Sequence, residues 1–317
     1  MKRAAHRDTS LLLQRQTRAL KRHLSGAIKG DERAVHQARV ASRRLRESVP
    51  ILSEGVKGSK ANKARRKIRR LTGALGMVRE LDVALKLLDE LAADDVPRPA
   101  IDELRAHVLA ERQSRREEML RRLERVNTDK LGRRLTSVIS AVDDSTDSPW
   151  RQVMAKRLLK RAKRLSAAVD ETGQLYVPDR LHEVRIAAKK LRYGLELASE
   201  SGARAAAPLV KSLKRTQELL GRLQDLQVLR SHLAELQAHP NGGRAPKAAL
   251  ERLSQRLEEE SRRLHGRYIA AAHGITELAD DVRRLVVPQI AHQARRRTPL
   301  KMAAPAASPR RRVAGRR

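Results

Sequence analysis

Two stretches of the chain place one histidine and three cations on one side of a helix. His36, Arg39, Arg43 and Arg46 follow a three-and-four spacing and, at about 100° per residue, fall within an arc of roughly 80°. Val35, Ala38, Leu45, Val49 and Leu52 occupy an opposing arc. The pattern returns as His182, Arg185, Lys189 and Arg192, backed by Leu181, Val184, Leu191 and Leu195. The segment after each carries a second basic ridge, Arg66, Arg69 and Arg70 in one case and Lys211, Lys214 and Arg215 in the other. Such ridges suit anion binding, because a guanidinium binds phosphate bidentately and an imidazole donates from either nitrogen and gains charge near neutral pH. Like charges at these spacings oppose helix formation by a few tenths of a kcal/mol per pair, so a bound polyanion would compensate. A solvated, screened face accounts for one ridge; its recurrence at the same spacing argues for more.

Each histidine has two other readings, a helix-packing side chain or a metal ligand. Neither has a second His or a carboxylate at i+3 or i+4, and the neighbouring arginines repel a cation, so no metal is expected. With no Cys in the chain there is no disulfide framework and no thiolate metal site. Catalysis finds little support. No Gly-rich loop is followed by Lys-Ser/Thr, and no Ser-His-Asp or paired-carboxylate set stands out, so neither an enzyme nor a cofactor is expected. Glu80 and Asp225 are expected to pair with basic neighbours.

The charge balance bears on partners. In 317 residues, 70 Lys and Arg face 37 Asp and Glu, a net charge of +33. Nine of those cations lie after Ala294 in a stretch without acids, and the body remains strongly basic. A body this cationic calls for nucleic acid, an anionic membrane surface or a phosphate polymer. Single-strand binders gain about 1–3 kcal/mol per base from aromatic stacking, whereas this chain holds only Trp150, Tyr176, Tyr193 and Tyr268. Duplex DNA stays open through phosphate contacts alone, although no helix-turn-helix, zinc-finger or bZIP pattern occurs. The basic tail can bind nucleic acid, or any polyanion, without specificity. No apolar run approaches the roughly 20 residues of a membrane span and no signal-like segment opens the chain, which points to no membrane partner and a cytoplasmic protein.

The elements that must position these residues all read as helices. Apolar residues recur every three or four positions and strand signals are absent, predicting an all-α fold. Helices are expected near 8–28, 32–53, 59–92, 98–127, 148–170, 179–200, 204–238, 245–273 and 276–290, with disorder over 295–317. Asp143 to Pro149 is the longest polar stretch in mid-chain.

The chain also repeats itself. Residues 35–46 match 181–192 at an offset of 146, while Arg69-Arg70, Leu75-Gly76 and Glu80-Leu81 recur as Lys214-Arg215, Leu220-Gly221 and Asp225-Leu226 at an offset of 145. This predicts a tandem duplication of a four-helix unit, with repeats at about 6–142 and 148–290. The motif His36-x-x-Arg39-x-x-x-Arg43-Arg44-Leu45-Arg46, its counterpart from His182 to Tyr193, and the later Leu-Gly-x-x-(Arg/Gln)-(Glu/Asp)-Leu together resemble the conserved histidine α-helical domain family, CHAD, over roughly residues 6–290. The resemblance implies two helical bundles with pseudo-twofold symmetry, whose basic faces line a central groove or pore that binds inorganic polyphosphate. It also implies recruitment to polyphosphate granules. Family members are often fused to a CYTH triphosphatase domain, whose Glu-x-Glu-x-Lys signature does not occur here.

Overall fold

A computed structural model describes residues 2–56, 60–92, 96–144, 149–238 and 245–297. Its ten helices are α1 (Lys2–Ile28), α2 (Glu32–Leu52), α3 (Lys60–Ala74), α4 (Arg79–Leu91), α5 (Arg98–Glu124), α6 (Thr128–Asp143), α7 (Trp150–Thr172), α8 (Pro178–Glu200), α9 (Ala206–Ala238) and α10 (Lys247–Arg297). The fold is all-α, with no strand among the described residues.

The helix ends follow local chemistry. Gly30 adopts φ +84°, a conformation an L side chain rarely takes, and turns the chain out of α1. Asp31 then caps α2 by accepting from the Ala34 amide at 2.5 Å. Asn127 does the same for α6 by accepting from the Lys130 amide at 2.7 Å.

Three sequence expectations change. The single helix expected over 59–92 is two, because the chain turns through 75–78 so that α4 packs on α5 and α9. Helix α6, unassigned in the sequence, buries Leu131, Leu135, Val138 and Val142 at helical spacing. The break expected near 273–276 is absent, and α10 runs through Gly274 as far as Arg297, which also takes in the first three residues of the expected tail. The disorder predicted for the rest of that tail lies outside the described residues.

Helices α7, α8, α9 and α10 pack as a four-helix bundle, while α1, α2, α3 and α6 pack on one another. The core is built of Leu and Ala, with Tyr268 and Trp150 its largest members. Small alanines such as Ala38, Ala162 and Ala188, all fully buried, let helix axes approach where no Phe is available to fill space. By contrast, polar contacts pin the first half to the second. Arg161 of α7 binds Glu47 of α2 through both guanidinium nitrogens at 2.6 and 2.9 Å, Gln16 donates to Glu200 at 3.3 Å, and Arg222 meets Glu90 at 2.6 Å. No helix among the described residues is long and apolar enough to cross a membrane.

Candidate functional site

Helices α2 and α8 meet at the junction of the halves, and α4 packs on α9 beside them. Their apolar stripes force the orientation. Ala38, Ala41 and Leu45 of α2, with Val184, Ala188 and Leu191 of α8, are buried, which turns Arg39, Arg43, Arg185, Lys189 and Arg192 into a half-buried seam instead of open solvent.

The two halves share one field there. Burial, then Arg43, holds the Arg39 guanidinium below its ordinary value, with Arg79 adding to this and Glu80 opposing it; such a group stays charged. Burial, reinforced by Arg185, Arg39 and Arg43, pushes the Lys189 ammonium down to about 8, again with Glu80 opposing. Asp225 is held above its ordinary value by burial against the pull of Arg185, Lys189, Arg79 and Arg222. Lys189 and Asp225 therefore sense cations from both halves, and the cluster lies where α2, α4, α8 and α9 converge.

Tyr193 joins the halves a second time. The guanidinium carbon of Arg43 lies 4.4 Å from its ring centroid and that of Arg192 lies 4.8 Å away, so one ring serves a cation from each helix. Arg192 is further held by Gln217 on α9 at 2.6 Å and by Glu196. Beside this group a cavity of about 150 Å³ opens between α2 and α8, with Arg43, Arg192 and Tyr193 in its wall. A larger one, about 700 Å³, opens between α1 and α6 and is lined by Leu20, Leu24, Leu131 and Leu135, with Lys21 and Arg133 among them.

Three donors in the seam stand out. Nε of Arg43 and Nε of Arg185 are buried without a hydrogen-bond acceptor, and so is Nε2 of Gln217. A buried donor left unpaired costs about 1–3 kcal/mol, more when it belongs to a charged group. Three such donors in one seam are an arrangement an anion would relieve.

Of the remaining predicted site residues all but His182 are exposed: His36, Arg46, Arg66, Arg69, Arg70, Lys211, Lys214 and Arg215. Gly76, in the turn after α3, lies close to the cluster, since an added Cβ there would stand 3.8 Å from Arg39 Nε. Lys214 stands one helical turn before Gln217, the α9 side chain that accepts from Arg192. Arg70 neighbours Lys67, whose ammonium is depressed by burial and then by Arg134 and Lys130 of α6.

The two histidines also part company. His182 is half-buried, its Nδ1 2.5 Å from the side-chain oxygen of Gln224. Amide oxygen only accepts, so Nδ1 donates and Nε2 keeps its freedom. At the 145-residue offset, Gln224 corresponds to Arg79. Arginine has no acceptor, and His36 is exposed. Thus Arg79 replaces an amide that orients a histidine with one more cation in the cluster. Arg79, Arg222, Gln217 and Tyr193 all escaped the sequence reading as site residues. Arg79 was the most visible, since it stands inside the recurring Leu-Gly-x-x-(Arg/Gln) pattern.

The family model described as the CHAD domain matches residues 11–234, from α1 through most of α9. The chain belongs to the CHAD domain family. Two curated Mycobacterium tuberculosis relatives are 28% identical to this CHAD domain over 218 residues: uncharacterized proteins MT2285 of strain CDC 1551 / Oshkosh and Rv2226 of strain H37Rv. The match spans 64% of this chain and only 40% of each relative. Among solved structures, PptA from Streptomyces chartreusis is similar in fold, with TM-score 0.55 and 15% identity over 87% of this chain and 99% of that one. The CHAD domain from the plant Ricinus communis is 24% identical, with TM-score 0.49 over 89% of this chain and 91% of that one.

Proposed function

We propose that this CHAD domain binds inorganic polyphosphate non-covalently, without chemistry of its own, in a groove or pore shared by its two halves. The observation that carries the reading is the half-buried cluster of Arg39, Arg43, Arg79, Arg185, Lys189 and Arg192, in which two guanidinium Nε donors find no protein acceptor. A folded protein keeps such like charges together at a cost in stability, and a polymer of closely spaced phosphates offsets that cost along its length. His36, Arg46, Arg66, Arg69, Arg70, Lys211, Lys214 and Arg215 would extend the track outward, with His182 reaching it through Nε2. Polyphosphate offers no base to stack, which agrees with a chain holding four aromatic residues. In a cytoplasmic setting the same interaction would recruit the protein to polyphosphate granules.

The duplication read from the sequence supports a shared site. Arg39 with Glu80 and Arg185 with Asp225 are equivalent pairs at the two offsets, and the electrostatic neighbours of Lys189 and Asp225 cross between halves.

Titrating the protein with long-chain polyphosphate, duplex DNA and single-stranded RNA at equal phosphate concentration, at about 0.15 M salt, tests the reading. Polyphosphate should bind at least tenfold more tightly than either nucleic acid, and removing residues 298–317 should weaken nucleic-acid binding more than polyphosphate binding. Equal binding of all three would reduce the protein to a nonspecific cationic surface.

A further inference from the structure

Away from the basic seam, a different set of side chains comes together where α5 of the first half crosses α9 of the second. His107 on α5 faces His232 and Glu235, which stand three residues apart on one face of α9. Both imidazoles address a single carboxylate oxygen: His107 Nε2 lies 3.4 Å and His232 Nδ1 3.2 Å from Glu235 Oε2. All three ligand atoms fall within 4.8 Å of one another, with the two rings edge to face at 5.5 Å.

These separations fit two accounts, a pair of hydrogen bonds and a set of metal ligands. As hydrogen bonds both are long: the His232 contact stands at the far end of the usual N–H···O range of about 2.7–3.2 Å and the His107 contact just beyond it. Ligands on one tetrahedral cation, each about 2.0–2.1 Å from it, stand about 3.3 Å apart, close to the separation of each imidazole nitrogen from the Glu235 oxygen. His232 and His107 are mostly buried, with side-chain exposures of 14% and 26%, whereas Glu235 is exposed at 62%, so a fourth position would open to water. The charge around the approach is favourable despite the basic chain. The cavity that reaches His107 is walled by Asp102, Glu103 and Leu236, with neither Lys nor Arg in its lining.

We propose that His107, His232 and Glu235 bind one divalent first-row transition cation of the zinc class, which clasps α5 to α9 across the two halves. Two imidazoles with one carboxylate select zinc, cobalt, nickel or copper over magnesium and calcium, which take oxygen ligands. Water completes the coordination. His232 lies seven residues beyond Asp225, about 10 Å along the same stripe of α9. The clasp would therefore hold α9 against the first half without touching the phosphate-binding cluster, and it does not depend on the polyphosphate reading.

The experiment uses the full chain free of any affinity tag and of polyphosphate, titrated with Co²⁺ and followed by visible absorption, then competed with Zn²⁺. A single equivalent should give ligand-field bands of a four-coordinate site that Zn²⁺ abolishes and Mg²⁺ leaves unchanged, and Zn²⁺ should raise the unfolding temperature. His107→Ala and His232→Ala should each weaken binding by at least the roughly 10–100-fold that loss of an outer-shell partner costs. Glu235→Gln, which conserves shape, should weaken it while the metal-free unfolding temperature stays near that of wild type. Absence of bands in the folded wild type would overturn the site, as would binding that survives the His107→Ala, His232→Ala pair.

Discussion

The guanidinium of Arg43, on α2, lies over the ring of Tyr193, on α8, at 4.4 Å from its centroid. Arg192 takes the other cation position on that ring at 4.8 Å, so an aromatic residue of the second half fixes the aim of an arginine from the first. A cation–π contact contributes about 0.5–2 kcal/mol. Tyr193→Leu should lower polyphosphate affinity by about 2–30-fold, whereas Tyr193→Phe, which keeps the ring face, should bind as wild type. Isothermal titration of the three proteins decides it. Wild-type affinity in Tyr193→Leu would mean that the ring does not organise the site.

Lys189 gives the binding reaction a pH dependence. In the free protein burial and then Arg185, Arg39 and Arg43 push its ammonium down to about 8 from an ordinary 10.5. A bound polyanion offsets those positive neighbours and raises it again. Between the free and bound values the complex holds a proton that the free protein has lost, so affinity falls as pH rises from about 8 toward 10.5. Well below pH 8 Lys189 is charged in both states and contributes no slope. Calorimetry at pH 8.5 in two buffers of different ionisation enthalpy should show proton uptake on binding, and Lys189→Arg should abolish it. Equal apparent enthalpies in the two buffers for wild type would contradict this.

The same residue should oppose folding. Its folded value lies below its unfolded one, so the unfolded chain binds more protons between about 8 and 10.5, and stability rises with pH across that window. At neutral pH the charged amine is a net cost. Lys189→Met should raise Tm by on the order of 2–5 °C while polyphosphate affinity falls. A variant that loses both stability and affinity would show Lys189 to be a structural residue.

Gly194 should be intolerant of a side chain. A Cβ there would stand 2.8 Å from Arg161 Nη1 and 2.8 Å from Leu158 Cδ2. Arg161 has nowhere to retreat, since it holds Glu47 through two hydrogen bonds and donates to the Lys190 carbonyl at 2.7 Å. Gly194→Ala should therefore cost about 1–3 kcal/mol, read by urea unfolding. Because one of the two clashes and the Glu47 contact involve the same guanidinium, Gly194→Ala should cost less in an Arg161→Ala background, with the Leu158 contact remaining. Full additivity would mean that the two do not meet.

What the sequence disclosed, and what it hid, divides by the range of the signal. The faces of α2 and α8 were legible because His36 to Arg46 and His182 to Arg192 recur with an apolar stripe behind each, and that stripe fixes which side is turned inward. That the faces converge was legible only through the family resemblance. The breaks were harder because one residue type gives opposite outcomes. The chain turns after Ala74 beside Gly76, yet Gly221 and Gly274 sit inside α9 and α10. A glycine costs a helix about 1 kcal/mol, an amount that packing of α4 on α5 and α9 can decide either way. Helix α6 was hidden by its start, where Asn127 reads as the last residue of the helix expected over 98–127. The His107 cluster had only the His232-x-x-Glu235 pair as a local signature, since 128 residues separate His107 from Glu235.

The claim that two halves share one polyphosphate site is tested most directly by neutralising each half in turn. Affinity for long-chain polyphosphate should be measured at about 0.15 M salt for wild type, for Arg39→Gln with Arg43→Gln, and for Lys189→Gln with Arg192→Gln, after circular dichroism has shown all three to be folded. A shared site predicts that each pair removes most of the affinity, and that combining all four costs far less than the product of the two losses. If one pair binds long polyphosphate as wild type does while the other loses it, the two faces do not hold a common ligand.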